Sequence, residues 1–320
     1  MATVLVTGAS GFVGSHVIPA LLGDGHAIVA LVRDDAAGSR VVRRLPVADR
    51  TRVTIRTGDV TRVGTLAPAM TGADAVVHLA AIPRDRNGGA DLRLVNTEGT
   101  RNVVGAMAAS GVRRLVHLGA MGVADDPALH YASSKARAEA LVRASSLDWT
   151  VLKPSLLWGE RDGFFNIVAG LVRVSPLVVP VPGLGRSRFQ PLAVDDLGRI
   201  VARCLADPST VGATYELGGP RIWTYREITR EVLAGMGAHR LVVPVPIAVI
   251  RVVARTAEAI RLPFPVATDQ LRQLRLDNVG PLDGVERAFG FAPLDMAGRL
   301  GYLRARIRDQ EPGTSVHGGG

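Results

Sequence analysis

Thr7-Gly8-Ala9-Ser10-Gly11-Phe12-Val13-Gly14 directly follows the apolar run Val4-Leu5-Val6 and leads into a helical pattern, Val13–Leu22. The glycine spacing is G-x-x-G-x-x-G. Glycine permits a tight turn and close approach of a pyrophosphate to backbone N–H groups, and the helix that follows presents its N-terminus to the phosphates. A strand before and a helix after are the context in which such a motif reads as a dinucleotide cradle. The second strand ends at Val32-Arg33-Asp34. An acidic residue at that place would favour the free ribose 2′-OH of NAD, whereas the Arg33 guanidinium suits a 2′-phosphate. The expected cofactor is therefore NADP(H), with NAD(H) the lesser choice because Asp34 adjoins Arg33.

Outward from this motif, the first half alternates strands and helices. Strands are expected at Val4–Thr7, Ile28–Val32, Val53–Thr57, Ala75–Leu79, Leu115–Leu118 and Thr150–Lys153, and helices at Val13–Leu22, Leu66–Met70, Leu92–Ala109 and Ala132–Ala144. That alternation specifies an α/β Rossmann fold, a doubly wound parallel sheet with helices on both faces. Residues 1–155 form the expected dinucleotide domain, and segments near 190–220 return to it. Residues 156–309 form a smaller C-terminal substrate-side region, with helices at Val194–Ala206 and Tyr225–Met236, a strand at Thr214–Leu217 and a largely helical Leu241–Gln273. The polar, glycine-rich 310–320 is expected to be disordered. Asp59-Val60, after the third strand, suits an adenine contact. Leu79-Ala80-Ala81, after the fourth, lets backbone approach the cofactor.

Composition narrows the options. With 47% apolar residues in 320 a large core is available. Cys204 is the one cysteine, so no disulfide can form within the chain, and it reads as a small core residue. No cluster suggests a metal, and no signal peptide is expected. Leu241–Ile260 carries Arg251, Arg255 and Glu258 among its apolar residues, which suits an amphipathic surface helix or a core helix better than a membrane span. The net charge of +9 favours anionic partners, but aromatics make up only 4% and no nucleic-acid motif is present. The expected location is cytoplasmic, with peripheral membrane contact and a homodimer both left open. Of 38 basic residues only Lys135 and Lys153 are lysine, which marks those two positions.

Taken in order, Thr7–Gly14, Gly58-Asp59-Val60, His78-Leu79-Ala80-Ala81, Asn96–Val103, Tyr131-Ala132-Ser133-Ser134-Lys135 and Lys153-Pro154-Ser155 resemble the extended short-chain dehydrogenase/reductase superfamily, whose members include NAD-dependent epimerases and dehydratases. Arg188–Pro191, Val194–Asp196 and Tyr215–Gly219 extend the likeness to about residue 230. His117–Gly122 and Asp162–Asn166 are most similar to the atypical branch of the nucleotide-binding accessory subunit of respiratory complex I. The resemblance implies that Tyr131 is a general acid/base, that Lys135, one helical turn on, lowers its pKa and reaches the nicotinamide ribose, and that Asn96 supports the network around the lysine. It also implies that Leu118-Gly119 and Lys153-Pro154-Ser155 pass near the nicotinamide.

One departure matters. The family's third catalytic residue is a Ser or Thr just past Leu118, yet Gly119, Ala120 and Met121 carry no hydroxyl. Tyr131 would act alone, or Ser155 would substitute. The reading is an NADP(H)-dependent oxidoreductase or epimerase acting on a small carbonyl or alcohol substrate beside Trp158–Phe165 and Arg186–Gln190. The alternative is a non-catalytic NADP(H)-binding sensor or accessory protein at a membrane.

Overall fold

The computed structural model describes residues 1–84, 87–246, 248–249 and 277–305. The sheet strands are β1 (Thr3–Thr7), β2 (Ala27–Val32), β3 (Val53–Thr57), β4 (Ala75–His78), β5 (Arg114–Leu118), β6 (Asp148–Pro154) and β11 (Ala213–Leu217). They lie in the order β11-β6-β5-β4-β1-β2-β3, and every pairing is parallel. Val4-Leu5-Val6 and Val76-Val77 are almost wholly buried, as expected for strands covered on both faces. The chain runs outward from β1 through β2 to β3 and then crosses back to β4. The sheet therefore has its switch point between β1 and β4, where open α/β sheets bind ligands beyond the carboxyl ends of the strands.

One face packs under α1 (Gly14–Gly23), α2 (Asp35–Arg43) and α8 (Val194–Ala206), burying Val17, Leu21, Val41, Ile200 and Val201. Gly198 lets α8 cross α1 closely, because a Cβ there would lie 3.0 Å from Ala20 Cβ. The other face packs under α3 (Leu66–Met70) and α5 (Gly99–Ser110), burying Leu66, Met70, Val103 and Met107. A short α4 (Ala90–Leu92) and a π-helical turn, Arg93–Glu98, lead into α5, and α6 (His130–Arg143) lies beside it. Cys204 is a buried core thiol, pushed up to about 12 by burial.

A second cluster is built around Phe165, Val168, Ile228, Val232 and Leu300. It holds β7 (Leu157–Trp158), α7 (Phe164–Val174), β8 (Val178–Pro182), β9 (Arg188–Phe189), β10 (Leu192–Ala193), β12 (Trp223–Thr224), α9 (Tyr225–Met236) and β13 (Leu241–Val245). A capping box fixes the start of α9: Glu227 N–H donates to Thr224 Oγ1 while Thr224 N–H donates to Glu227 Oε2. A short helix, α10 (Gly284–Phe289), packs beside β11.

One expectation is corrected. Leu241–Val245 is a strand paired with β8, not the start of a helix. Its β-branched valines and Pro244 disfavour a helix, and the waiting edge of β8 takes them. The remainder of the expected helical stretch, apart from residues 246 and 248–249, and the 310–320 tail lie outside the described residues.

Candidate functional site

The glycine turn closes against the end of β4. Gly8 has φ +68°, and a Cβ on it would lie 2.8 Å from Ala80 N and 2.9 Å from the Leu79 carbonyl carbon. A Cβ on Gly14 would lie 2.6 Å from the carbonyl oxygens of both Gly8 and Ala9. Gly11 N–H donates to Gly8 O at 3.0 Å. The N–H groups of Phe12 and Val13 find no acceptor among the described residues, and the first turn of α1 carries no acidic side chain. Free N–H groups at a helix start, with room for nothing larger than glycine, suit an anionic pyrophosphate.

Thr7, fully buried, ties this turn to β4. Its Oγ1 lies 2.7 Å from His78 Nδ1 and accepts N–H from Leu79 and Ala80 at 3.2 Å each. Thr100 Oγ1 donates to Asn96 O, so it accepts from His78 Nε2 at 3.0 Å, and the Thr7 hydroxyl then donates to Nδ1. That assigns a neutral Nε2–H tautomer to His78. Asn96 sits on the π-helical turn and clamps Ile82 from both sides, accepting its N–H at 2.8 Å and donating to its carbonyl at 3.0 Å. Its amide also donates to Ser134 Oγ. Asn96 thus fixes the backbone after Leu79-Ala80-Ala81 and ties it to α6.

At the other end of the crevice Arg33 is exposed at the end of β2, and Asp34 caps α2 by accepting the Ala37 N–H at 2.7 Å. Arg44, which the sequence reading passed over, donates to Ser10 O at 2.9 Å and so brings a guanidinium to the glycine turn. Asp59 accepts from Thr61 N–H and Oγ1, and Asn102 donates to Val60 O. The Asp59-Val60 turn is thereby held from α5.

On α6, Lys135 is buried and donates to Leu118 O. Burial pushes its ammonium down to about 8, partly opposed by the Glu139 carboxylate. Lys153 lies 3.5 Å from Glu139 and 3.8 Å from Glu216, so the chain's two lysines flank one carboxylate. Burial pushes the Tyr131 phenol, one turn before Lys135, up to about 12.

Gly119 N–H donates to Leu152 O, Met121 N–H donates to Pro154 O, and a Cβ at Gly119 would lie 3.1 Å from Lys153 Cγ. Ser155 is not a free substitute. It donates to Asn278 O at 2.8 Å and accepts from Gln190 N–H at 3.1 Å. Asn278 belongs to a strap, residues 277–281, that the sequence reading missed. Its amide donates to Met121 O, Asp277 pairs with Arg188, and Gly280 N–H donates to the buried Gln190 Oε1. The strap ties the ends of β5 and β6 to the second cluster. Farther out, buried Asp162 accepts from Tyr302 and from Phe165 N–H, and burial pushes its carboxyl up to about 6. Arg161, at φ +70°, donates to Ser15 at the start of α1. Asp162 and Arg161 thus join the Trp158–Phe165 loop to the second cluster and to α1.

Beneath Lys135, His78 and His117 stack with centroids 5.4 Å apart, and neither nitrogen of His117 has a partner among the described residues. Burial holds His78 down at about 3 and His117 well below its ordinary value, with Lys135 adding repulsion in both cases. The unfolded chain therefore protonates first as pH falls. Stability is expected to decline from about pH 6.5 toward pH 3, at up to about 1.4 kcal/mol per pH unit for each ring. Urea melts across that range check the slope. A flat profile would mean that the rings are charged or solvated.

Comparison with known proteins agrees with this geometry. The NAD(P)H-binding family matches residues 8–171, just over half of the chain. The chain is 24% identical over 298 residues to the NADH-ubiquinone oxidoreductase 40 kDa subunit of Neurospora crassa, covering 92% of this chain and 76% of that protein. It is 25% identical to the photosystem II assembly factor Ycf39 of a Synechocystis species, over 78% of this chain and 72% of that protein. The structure of DesIV, a dTDP-glucose 4,6-dehydratase from Streptomyces venezuelae with NAD bound, superposes with a TM-score of 0.70 at 25% identity, covering 94% of this chain and 95% of that one. The expected epimerase/dehydratase-like Rossmann fold and the likeness to the complex I accessory branch are both borne out.

Proposed function

The chain belongs to the NAD(P)H-binding family, and from that premise we propose that it holds NADP(H) as a bound ligand and serves as a nucleotide-dependent accessory protein rather than turning over a small substrate. The observation that carries this reading is the closed set of proton donors. Gly119, Ala120 and Met121 offer no hydroxyl, and Ser155 gives its one proton to Asn278 O while accepting from Gln190 N–H. Loss of one preorganised donor costs about 10²–10³ in rate. In this reading the Gly8–Gly14 turn takes the pyrophosphate and Arg33 the 2′-phosphate, with Asp34 occupied as a helix cap. Asp59-Val60 borders the adenine, and Lys135 and Lys153–Ser155 frame the nicotinamide ribose and ring. Relatives that are a subunit of a respiratory complex and an assembly factor fit such a role.

A second reading is supported by Tyr131 and Lys135, one turn apart on α6. If Tyr131 moves a proton while hydride passes to or from a carbonyl carbon, the protein is an oxidoreductase or epimerase of this superfamily. NADPH oxidation across a broad panel of aldehydes, ketones and sugar nucleotides separates the two. The accessory role predicts no turnover above that of Tyr131→Phe. Turnover that disappears in Tyr131→Phe would establish the enzyme instead.

A further inference from the structure

The ribbon made by β8 and β13 has the wrong outer face for water. Alternation along β8 turns Val179 and Val181 into the second core, where both are at most 1% exposed. Val178 and Pro180 point the other way, and the parallel register sets Leu241 beside Val178 and Val243 beside Pro180. A solvated ribbon carries polar residues at such outward positions. Here they are apolar, and neighbouring residues add to the exposed apolar surface: Val174 is 79% exposed, Leu177 74%, Leu241 71% and Leu184 58%. No helix among the described residues is long and apolar enough to cross a membrane.

The segments that build it are basic. Residues 163–194 contain no Asp or Glu but hold Arg173, Arg186 and Arg188, and residues 232–249 contain none but hold Arg240. Arg173 donates to the carbonyls of Leu303 and Ala305, and Arg240 donates to Ser175 O. Neither has a carboxylate partner among the described residues, and Arg186 is exposed. Nearby acids are occupied: Glu227 caps α9, Glu231 accepts the Gly298 N–H and Asp277 holds Arg188.

The edges of the ribbon also select the partner. Pro180, Pro182 and Pro244 remove donors from its strands, which opposes addition of another strand. What remains is a non-directional apolar surface rimmed by arginines, the pattern that lies at the boundary between headgroups and acyl chains. We infer that the outer face of the β8–β13 ribbon docks the protein peripherally on a bilayer containing anionic lipid. Val174, Leu177, Leu184 and Leu241 enter the interface, and Arg173, Arg186 and Arg240 meet the phosphates.

Flotation with phosphatidylcholine vesicles, alone and mixed with phosphatidylserine, tests this on the full chain. The protein is expected to float with the mixed vesicles and less with the neutral ones. The double variant Leu177→Glu/Leu241→Glu is expected to bind at least about tenfold more weakly. Val47→Glu removes a residue of equal exposure (75%) on the Rossmann half and is expected to bind within about twofold of the parent. Unchanged NADPH affinity and melting temperature show that the double variant is folded. Three results would overturn the inference. In the first, the parent fails to float. In the second, the double variant binds as well as the parent, which would mean diffuse charge attraction. In the third, the parent is a dimer that the double variant dissociates, which would assign the face to a second copy.

Discussion

Gly14→Ala is expected to strip the protein of NADPH while leaving it folded. The new methyl would sit 2.6 Å from the carbonyl oxygens of Gly8 and Ala9, a distance that real Cβ atoms do not tolerate. Both neighbours are backbone, so the glycine turn itself must open. Opening it moves Phe12 and Val13, whose N–H groups are the free donors at the start of α1. Those donors act only if they converge on one anion, and misplacing them by about an ångström forfeits most of the charge-assisted bonding. An affinity loss of about 100-fold or more is expected, with a stability cost of about 1–3 kcal/mol. Fluorescence titration with NADPH beside a urea melt reads both. Retained affinity would show that the dinucleotide does not use this turn.

Lys135→Met is expected to make the protein more stable and bind its cofactor less well. A lysine whose ammonium is held down at about 8 against an ordinary 10.5 costs the folded state about 3 kcal/mol at neutral pH. Methionine fills similar space without charge, and the lost bond to Leu118 O returns about 1 kcal/mol of that gain. The net expectation is a gain of about 2 kcal/mol. The pH profile identifies the cause. Because the folded value lies below the unfolded one, the parent should gain stability as pH rises from about 8 to 10.5, and Lys135→Met should lack that rise. A lysine buried at such a cost points to a task other than folding, which under the proposed function is a hydrogen bond to the nicotinamide ribose. Reduced stability in Lys135→Met would instead make Lys135 a structural residue that happens to be buried.

The parts legible in sequence were those encoded over a few neighbouring residues. Thr7–Gly14 carries its strand, turn and helix within one contiguous stretch, so its geometry follows from glycine spacing alone. The helices Val194–Ala206 and Tyr225–Met236 were equally local, the second closed by its own capping box. Leu241–Val245 was misread because its conformation depends on a distant partner. Only the exposed edge of Val178–Pro182, some 60 residues earlier, converts that apolar run into a strand. The strap at 277–281 was invisible for the same reason, since Asn278 meets Met121 and Ser155 across 157 and 123 positions. The bond from Lys135 to Leu118 O could not be read from a four-residue spacing either. Spacing puts Tyr131 and Lys135 on one face, but the carbonyl that the ammonium meets depends on where β5 ends. The absence of a hydroxyl at Gly119–Met121 was legible, and the packing of Lys153 against Gly119 shows why a side chain there would be crowded.

The central claim is that the crevice between β1 and β4 holds a nicotinamide dinucleotide with a 2′-phosphate. Titrating the purified protein with NADPH and with NADH, in parent and Arg33→Ala, tests it most directly. The account predicts one NADPH per chain, bound at least about tenfold more tightly than NADH, with Arg33→Ala erasing most of that preference. Tighter binding of NADH, or no binding of either, would contradict it.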